Sequence, residues 1–180
     1  MSSLSVYHAS TPDLPNKVLT HLEDIASTLG EHGVRFERWQ AEAPIQPGAS
    51  HEQVIAGYRN QIDSLMNEHG YGAVDVISMN SDHPQLAELR ASLLDEHRYS
   101  ADDACFFVAG RGLFNLHIDD YVYAVLCEKG DLIVVPAGTA HWFDMGEHPH
   151  FVMVRLSTKP DYVPEFTGQD IAERFPRLDD

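Results

Sequence analysis

The second half of the chain constrains the fold most. From residue 103 to residue 157, short apolar runs alternate with turn signals. Asp103–Ala109 is followed by Gly110-Arg111-Gly112, Leu113–Ile118 by Asp119-Asp120, and Tyr121–Cys127 by Glu128-Lys129-Gly130. Leu132–Val135, His141–Asp144 and Phe151–Ser157 complete the series. Each run has the length of a strand, and many short strands at this rhythm indicate a sandwich or a barrel.

The first half has a different texture. Residues 1–15 are extended and punctuated by proline, with an edge strand expected near Leu4–Tyr7. Val18, Leu19, Leu22, Ile25, Ala26 and Leu29 recur at helical spacing and predict a helix over 16–29, stopped by Gly30. Val34–Trp39 alternates as a half-buried strand does, and residues 41–49 read as a loop. Ser50-His51-Glu52-Gln53 is a capping box. It opens a helix whose stripe of Val54, Ile55, Tyr58, Ile62, Leu65 and Met66 ends at Gly70. Ala73–Met79 reads as a buried strand. Pro84 then starts a third helix, lined by Leu86, Leu89, Leu93 and Leu94, that runs to Glu96. The tail from Thr158 carries Pro160, Pro164 and Pro176, with one helical turn near Asp170–Arg174. The expectation is a single α+β domain over 1–180, with helices mainly in the N-terminal half and the barrel core over about 73–157.

Charge bounds what such a barrel can serve. Twelve Lys and Arg stand against 28 Asp and Glu, a formal net charge of −16, which excludes nucleic acid and anionic membranes as partners. No apolar stretch is long enough to cross a bilayer, and Met1-Ser2-Ser3-Leu4-Ser5 lacks the basic and apolar regions of a signal peptide. Cys105 and Cys127 are too few for a disulfide framework. The expected setting is the cytoplasm, as a monomer or small homo-oligomer, with a small-molecule substrate.

Two stretches carry the chemistry. Leu94–Gly110 holds His97 and Asp103 six residues apart, and Gly130–Asp144 adds His141. Two imidazoles and one carboxylate, with positions left open, form the facial set that suits non-haem Fe(II) oxygen chemistry. Gly130-x5-Pro136-x-Gly138-x2-His141 matches the second signature of the cupin jelly-roll barrels, and Asp103-x6-Gly110 matches the second half of the first. In that fold the two stretches face each other and point their ligands inward.

A closer resemblance covers nearly the whole chain. Gly33–Trp39, Cys127–Leu132, Pro136–Gly146 and Phe166–Ile171 are similar to segments of the bacterial acireductone dioxygenase family. That family is cupin-like and performs the oxygen-consuming step of methionine salvage. With Fe(II) its members convert acireductone and O₂ to formate and the keto acid of methionine. With Ni(II) they form methylthiopropionate, formate and carbon monoxide. The resemblance implies a cupin-type β jelly-roll barrel and a dioxygenase using one divalent metal, Fe(II) or Ni(II) first, with Mn(II) or Zn(II) as further fitting ions. The family's first motif reads His-x-His-x3-Glu-x-Arg. Here it reads His97-x-Tyr99-x3-Asp103-x-Cys105, while the last ligand, His141, is kept.

On these grounds His97, Asp103 and His141 are the expected metal ligands, against the alternatives of hydrogen-bonded interior histidines and of Asp102 as the relevant acid. Tyr99 is expected to act from the pocket wall, because a phenol near its usual pKa of about 10 is a poor ligand for a divalent ion. Cys105 shares the inward face of its strand with Asp103, as a small buried group or as a thiol. Phe107 and Phe143 are expected to be apolar pocket walls. Arg155, a cation inside Val152-Met153-Val154-Arg155-Leu156, needs a carboxylate or a substrate anion. His117 is a reserve ligand. Two other functions remain open: a repurposed cupin enzyme acting on a different small substrate in a specialised pathway, and an inactive cupin binding module. Metal content separates the last from the others, and turnover of acireductone separates the first two.

Overall fold

The computed structural model describes residues 2–40, 44–158 and 163–179. The expected loop over 41–49 is therefore seen from residue 44, and Pro160 of the tail lies outside the described residues.

Eleven strands and four helices are found among the described residues. β1 (Ser3–His8) is not an edge strand, because it pairs with β7 (Tyr121–Glu128) on one side and β2 (Lys17–Leu19) on the other. The helix expected from residue 16 starts later, as α1 (Leu22–Gly30). Residues 17–19 instead close a hairpin with β1, and Val18 stays exposed on that edge. β3 (Arg35–Arg38) follows. The capping box opens α2 (His51–Gly57), with the Ser50 hydroxyl and the Gln53 side chain bonded reciprocally to backbone amides. The helix expected to run on to Gly70 breaks at Tyr58, whose φ of −121° is not helical, and resumes as α3 (Arg59–His69). The break leaves Val54, Tyr58, Ile62 and Leu65 all fully buried. β4 (Ala73–Met79) is as expected. α4 (Leu86–Leu94) begins two residues after Pro84 and ends before the short β5 (His97–Arg98).

The main departure lies in β6, which runs unbroken from Asp103 to Ile118. Gly110-Arg111-Gly112 is a bend within this strand and not a turn. Gly110 sits at φ +71°, and a Cβ there would lie 1.9 Å from the His150 carbonyl oxygen. Its pairing with β10 (Phe151–Ser157) slips by a bulge between Val152 and Met153. Such a bulge bends the strand, letting one chain segment serve two sheets. Before the bend β6 pairs with β10 and β8 (Asp131–Val135), and after it with β7 and β9 (Ala140–Asp144). One sheet thus runs β2-β1-β7-β6-β9-β5-β11, with β11 being Glu165–Phe166, and the other runs β3-β8-β6-β10-β4. This is an α+β jelly-roll barrel. One apolar cluster, including Phe107, Phe114, Phe143 and Phe151, fills its interior. A second packs α2 and α3 against the outside of the β4-β10-β6-β8 sheet. The tail ends in a 3-10 turn (Ile171–Arg174) that packs with Phe175 against Trp142 and Tyr7. No helix among the described residues is long and apolar enough to cross a membrane.

Candidate active site

Strand register brings the two histidines together. His97 on β5 is the direct cross-strand partner of His141 on β9, with ring centroids 4.6 Å apart and exposures of 1% and 2%. Each ring is fixed in the same way. His97 Nδ1 donates to the Asp95 carbonyl at 2.7 Å, and His141 Nδ1 donates to the Thr139 carbonyl at 2.8 Å. A carbonyl can only accept, so the proton sits on Nδ1 and the Nε2 lone pair is left for the interior. Burial lowers the pKa of both, and the neighbouring His97 helps bring His141 down to about 4. Both are therefore neutral near pH 7.

Asp103, the first residue of β6, is 2% exposed. Its carboxylate accepts from Arg155, with Nη2 at 3.1 Å from Oδ2 and Nε at 3.4 Å from Oδ1. Arg155 lies across from Cys105 in the β10–β6 register, so its guanidinium reaches diagonally to the next inward residue of β6. Among the described residues no three His, Cys, Asp or Glu side chains converge as a metal-binding group. The predicted trio is thus brought to one place as a pair of imidazoles and a carboxylate drawn towards a guanidinium. Asp102, the competing acid, accepts from the Ala137 amide at 2.8 Å and braces the β8–β9 loop.

The Tyr99 ring lies 5.1 Å from His97 and 5.5 Å from His141, centroid to centroid, and the Arg155 guanidinium carbon is 5.5 Å from the Tyr99 ring centre. Burial raises the phenol's pKa, although Arg155 opposes the shift, so it remains a phenol. Cys105 is fully buried, and burial followed by the charge of Asp103 pushes its thiol well up, so it is no thiolate. Phe143 lines the chamber with these residues. Phe107 does not. It packs behind, with ring centroids 6.3 Å from Phe143 and 6.1 Å from Phe114. His117, the reserve ligand, does not line the chamber, and its Nδ1 donates to Glu96 at 2.7 Å.

Several contributors were not read from the sequence. Leu93, Ile77 and Met153 close the chamber, and nothing in their local pattern distinguishes them from ordinary core. Glu96 is 2% exposed and accepts from both His117 and the Thr167 hydroxyl, each at 2.7 Å. This fastens β11 beside β5, where Phe166 meets His97 edge-on at 5.9 Å. The Phe166-Thr167-Gly168 stretch supplied the signal but not the role.

The sequence model of the ARD/ARD′ family matches residues 4–164. The chain belongs to that family. An acireductone dioxygenase of Pseudomonas savastanoi pv. phaseolicola is 74% identical over the full length of both chains. One of Pseudomonas aeruginosa is 66% identical, again over the full length of both. Among solved structures, the acireductone dioxygenase of Bacillus anthracis superposes with a TM-score of 0.81 at 26% identity, covering 92% of this chain and 98% of that one. That structure holds a cadmium ion in its active centre. The chamber of this chain brings His97 and His141 together with Tyr99, Asp103 and Cys105.

Proposed function

We infer that this chain is an acireductone dioxygenase, cleaving the enediolate with O₂ to a keto acid and formate. What supports this reading is the pair of buried, neutral, cross-strand imidazoles with their Nδ1 hydrogens held by backbone carbonyls. Full-length identity of 65–74% to proteins of that name stands beside it. The two imidazoles fit a divalent transition metal, and Asp103, paired with Arg155, would have to turn towards them to join the set. Neutral imidazole suits Fe(II), Ni(II), Mn(II) and Zn(II), and a ligand histidine characteristically donates its other ring hydrogen to a carbonyl or carboxylate. His97 and His141 would hold the ion, with Asp103 as the carboxylate of the set. When bound, the metal supplies polarisation of the substrate oxygens and a template for orientation.

The chain's own residues do the remaining work. Arg155 is the cation of the chamber wall and the group to balance an enediolate. The Tyr99 phenol, kept protonated, can donate a hydrogen bond to an oxyanion. Leu93, Phe143 and Met153 exclude water, which strengthens both interactions. Cys105 stands where the family pattern has arginine and brings no charge. The test is oxygen uptake and formate release on adding acireductone to protein loaded anaerobically with Fe(II). The expected result is metal-dependent consumption of O₂ with formate formed in step. Full metal loading with no uptake above the uncatalysed rate would refute the reading.

A further inference from the structure

Two neighbours need the Asp103 carboxylate, and its side chain is short. Both of its oxygens are turned to Arg155, Oδ2 accepting from Nη2 at 3.1 Å and Oδ1 from Nε at 3.4 Å. The pair is buried, with side-chain exposures of 3% for Asp103 and 15% for Arg155. His97 and His141 line the same chamber, with their Nδ1 hydrogens on backbone carbonyls. Their Nε2 lone pairs are left for a cation, and a divalent ion held there needs an anionic third ligand. One methylene does not let the carboxylate face the guanidinium with both oxygens and serve that ion at once.

Arg155 has a second acid beside it. Asp75 is its direct cross-strand partner on β4. The Asp75 carboxylate turns instead to the Val76 amide at 2.8 Å, and its side chain is 67% exposed. Asp103 is thus the buried carboxylate that neutralises the guanidinium. Paired, the two cancel, and beside neutral imidazoles they offer an anion no net attraction. Once Asp103 has turned to a divalent ion, the ion, the carboxylate and the guanidinium together carry two positive charges. That charge matches an enediolate dianion.

We propose that Arg155 and the metal compete for Asp103, so that metal binding releases the Arg155 guanidinium for the substrate anion. Binding is then ordered, metal before substrate. The proposal rests on the reading of the imidazole pair as the seat of the metal and deepens it. Ni(II) affinity of the metal-free protein, read by chelator competition, tests it without turnover. Arg155→Gln removes the competitor and should tighten Ni(II) roughly ten- to a hundred-fold, the contribution of one charge-assisted hydrogen bond. The sign is diagnostic, because losing a residue that only orients a ligand typically weakens metal binding by about 10–100-fold. Asp103→Asn should weaken Ni(II) by about tenfold or more, since the anionic ligand is gone. Arg155→Gln made on top of Asp103→Asn should tighten Ni(II) at least about tenfold less than it does alone. Plain repulsion between guanidinium and metal would act equally in both backgrounds. Each variant is first checked for a cooperative denaturation transition. A second readout uses wild type itself. On adding Zn(II), hydrogen exchange of the Arg155 Nε–H should speed up by about tenfold or more, its NMR signal being assigned by its loss in Arg155→Lys. Unchanged or weaker Ni(II) binding in folded Arg155→Gln overturns the exchange. So does equal tightening in both backgrounds, or an Nε–H exchange rate that Zn(II) leaves unaltered. If His141→Ala still abolishes Ni(II) uptake, any of these results leaves the metal seat standing. Wild-type protein that takes up no Ni(II) overturns the seat and the exchange together.

Discussion

The resemblance of the first motif implies histidine, glutamate and arginine where Tyr99, Asp103 and Cys105 stand, and each of these residues has a physical consequence. Tyr99 sets a phenol ring against both imidazoles, Asp103 pairs with Arg155, and Cys105 brings no charge to β6. A charge-assisted hydrogen bond contributes about 1.5–3 kcal/mol, so losing one from a transition state lowers the rate roughly ten- to a hundred-fold. The triple variant Tyr99→His, Asp103→Glu, Cys105→Arg should therefore raise kcat/KM for acireductone by about that factor, measured by oxygen uptake at fixed metal loading. The sites are neighbours, so single changes are expected to fall short of the triple. An unchanged or lower value in the folded triple would show that rate is limited elsewhere. The imidazoles carry a second prediction. Burial lowers the pKa of His141 from 6.5 to about 4, so the unfolded chain binds the extra proton in the window between those values. Unfolding free energy of the metal-free protein should be full above pH ~6.5 and fall by about 3 kcal/mol as pH drops towards 4. Denaturant titrations across that range read it, and His141→Gln should flatten the slope. An equal slope in wild type and variant would contradict the assignment.

At the scale of elements, the sequence was legible wherever one face of a strand or helix is buried. β4, β8, β9 and β10 lie within a residue of expectation, because a run of apolar residues between turn signals has few other solutions. It was less legible where two elements compete for one signal. The apolar spacing of Val18 and Leu19 fits a helix as well as a strand, and the pairing of β2 with β1 decided it. Gly110-Arg111-Gly112 reads as a turn, yet the partners waiting on both sides keep β6 extended through it. Arg155 was expected to need a carboxylate or a substrate anion, but Asp103 as that carboxylate could not be read, since the pairing depends on a register set by the bulge opposite that bend. Gly110 is where this can be tested. Its φ is positive, and the His150 carbonyl oxygen lies 1.9 Å from where a Cβ would stand, which leaves no room for a side chain. Gly110→Ala should destabilise the fold by about 3 kcal/mol or more, read as a lower denaturation midpoint at unchanged slope. A shift below about 0.5 kcal/mol would mean that the bend tolerates an ordinary residue.

Across the whole molecule, the helices and the tail brace a barrel whose chemistry faces inward. Asp144, fully buried, accepts from Arg90 of α4, from the Gly146 amide and from the Leu178 amide, so one carboxylate joins a helix, a strand and the C-terminal segment. Glu96 does the same for β11. The resemblance of the two motifs to cupin and acireductone dioxygenase signatures implied that His97 and His141 face one interior, and the β5–β9 register brings them together there. Everything proposed for this chamber depends on the two imidazoles being the seat of a divalent metal. The most direct measurement is a chelator-competition titration of Ni(II) or Fe(II) into metal-free wild type and His141→Ala, with elemental analysis of the dialysed protein. The expected result is one ion per wild-type chain and none retained by the variant. Wild-type protein that retains no metal, or a His141→Ala variant that binds it as tightly as wild type, would contradict the assignment of the imidazole pair.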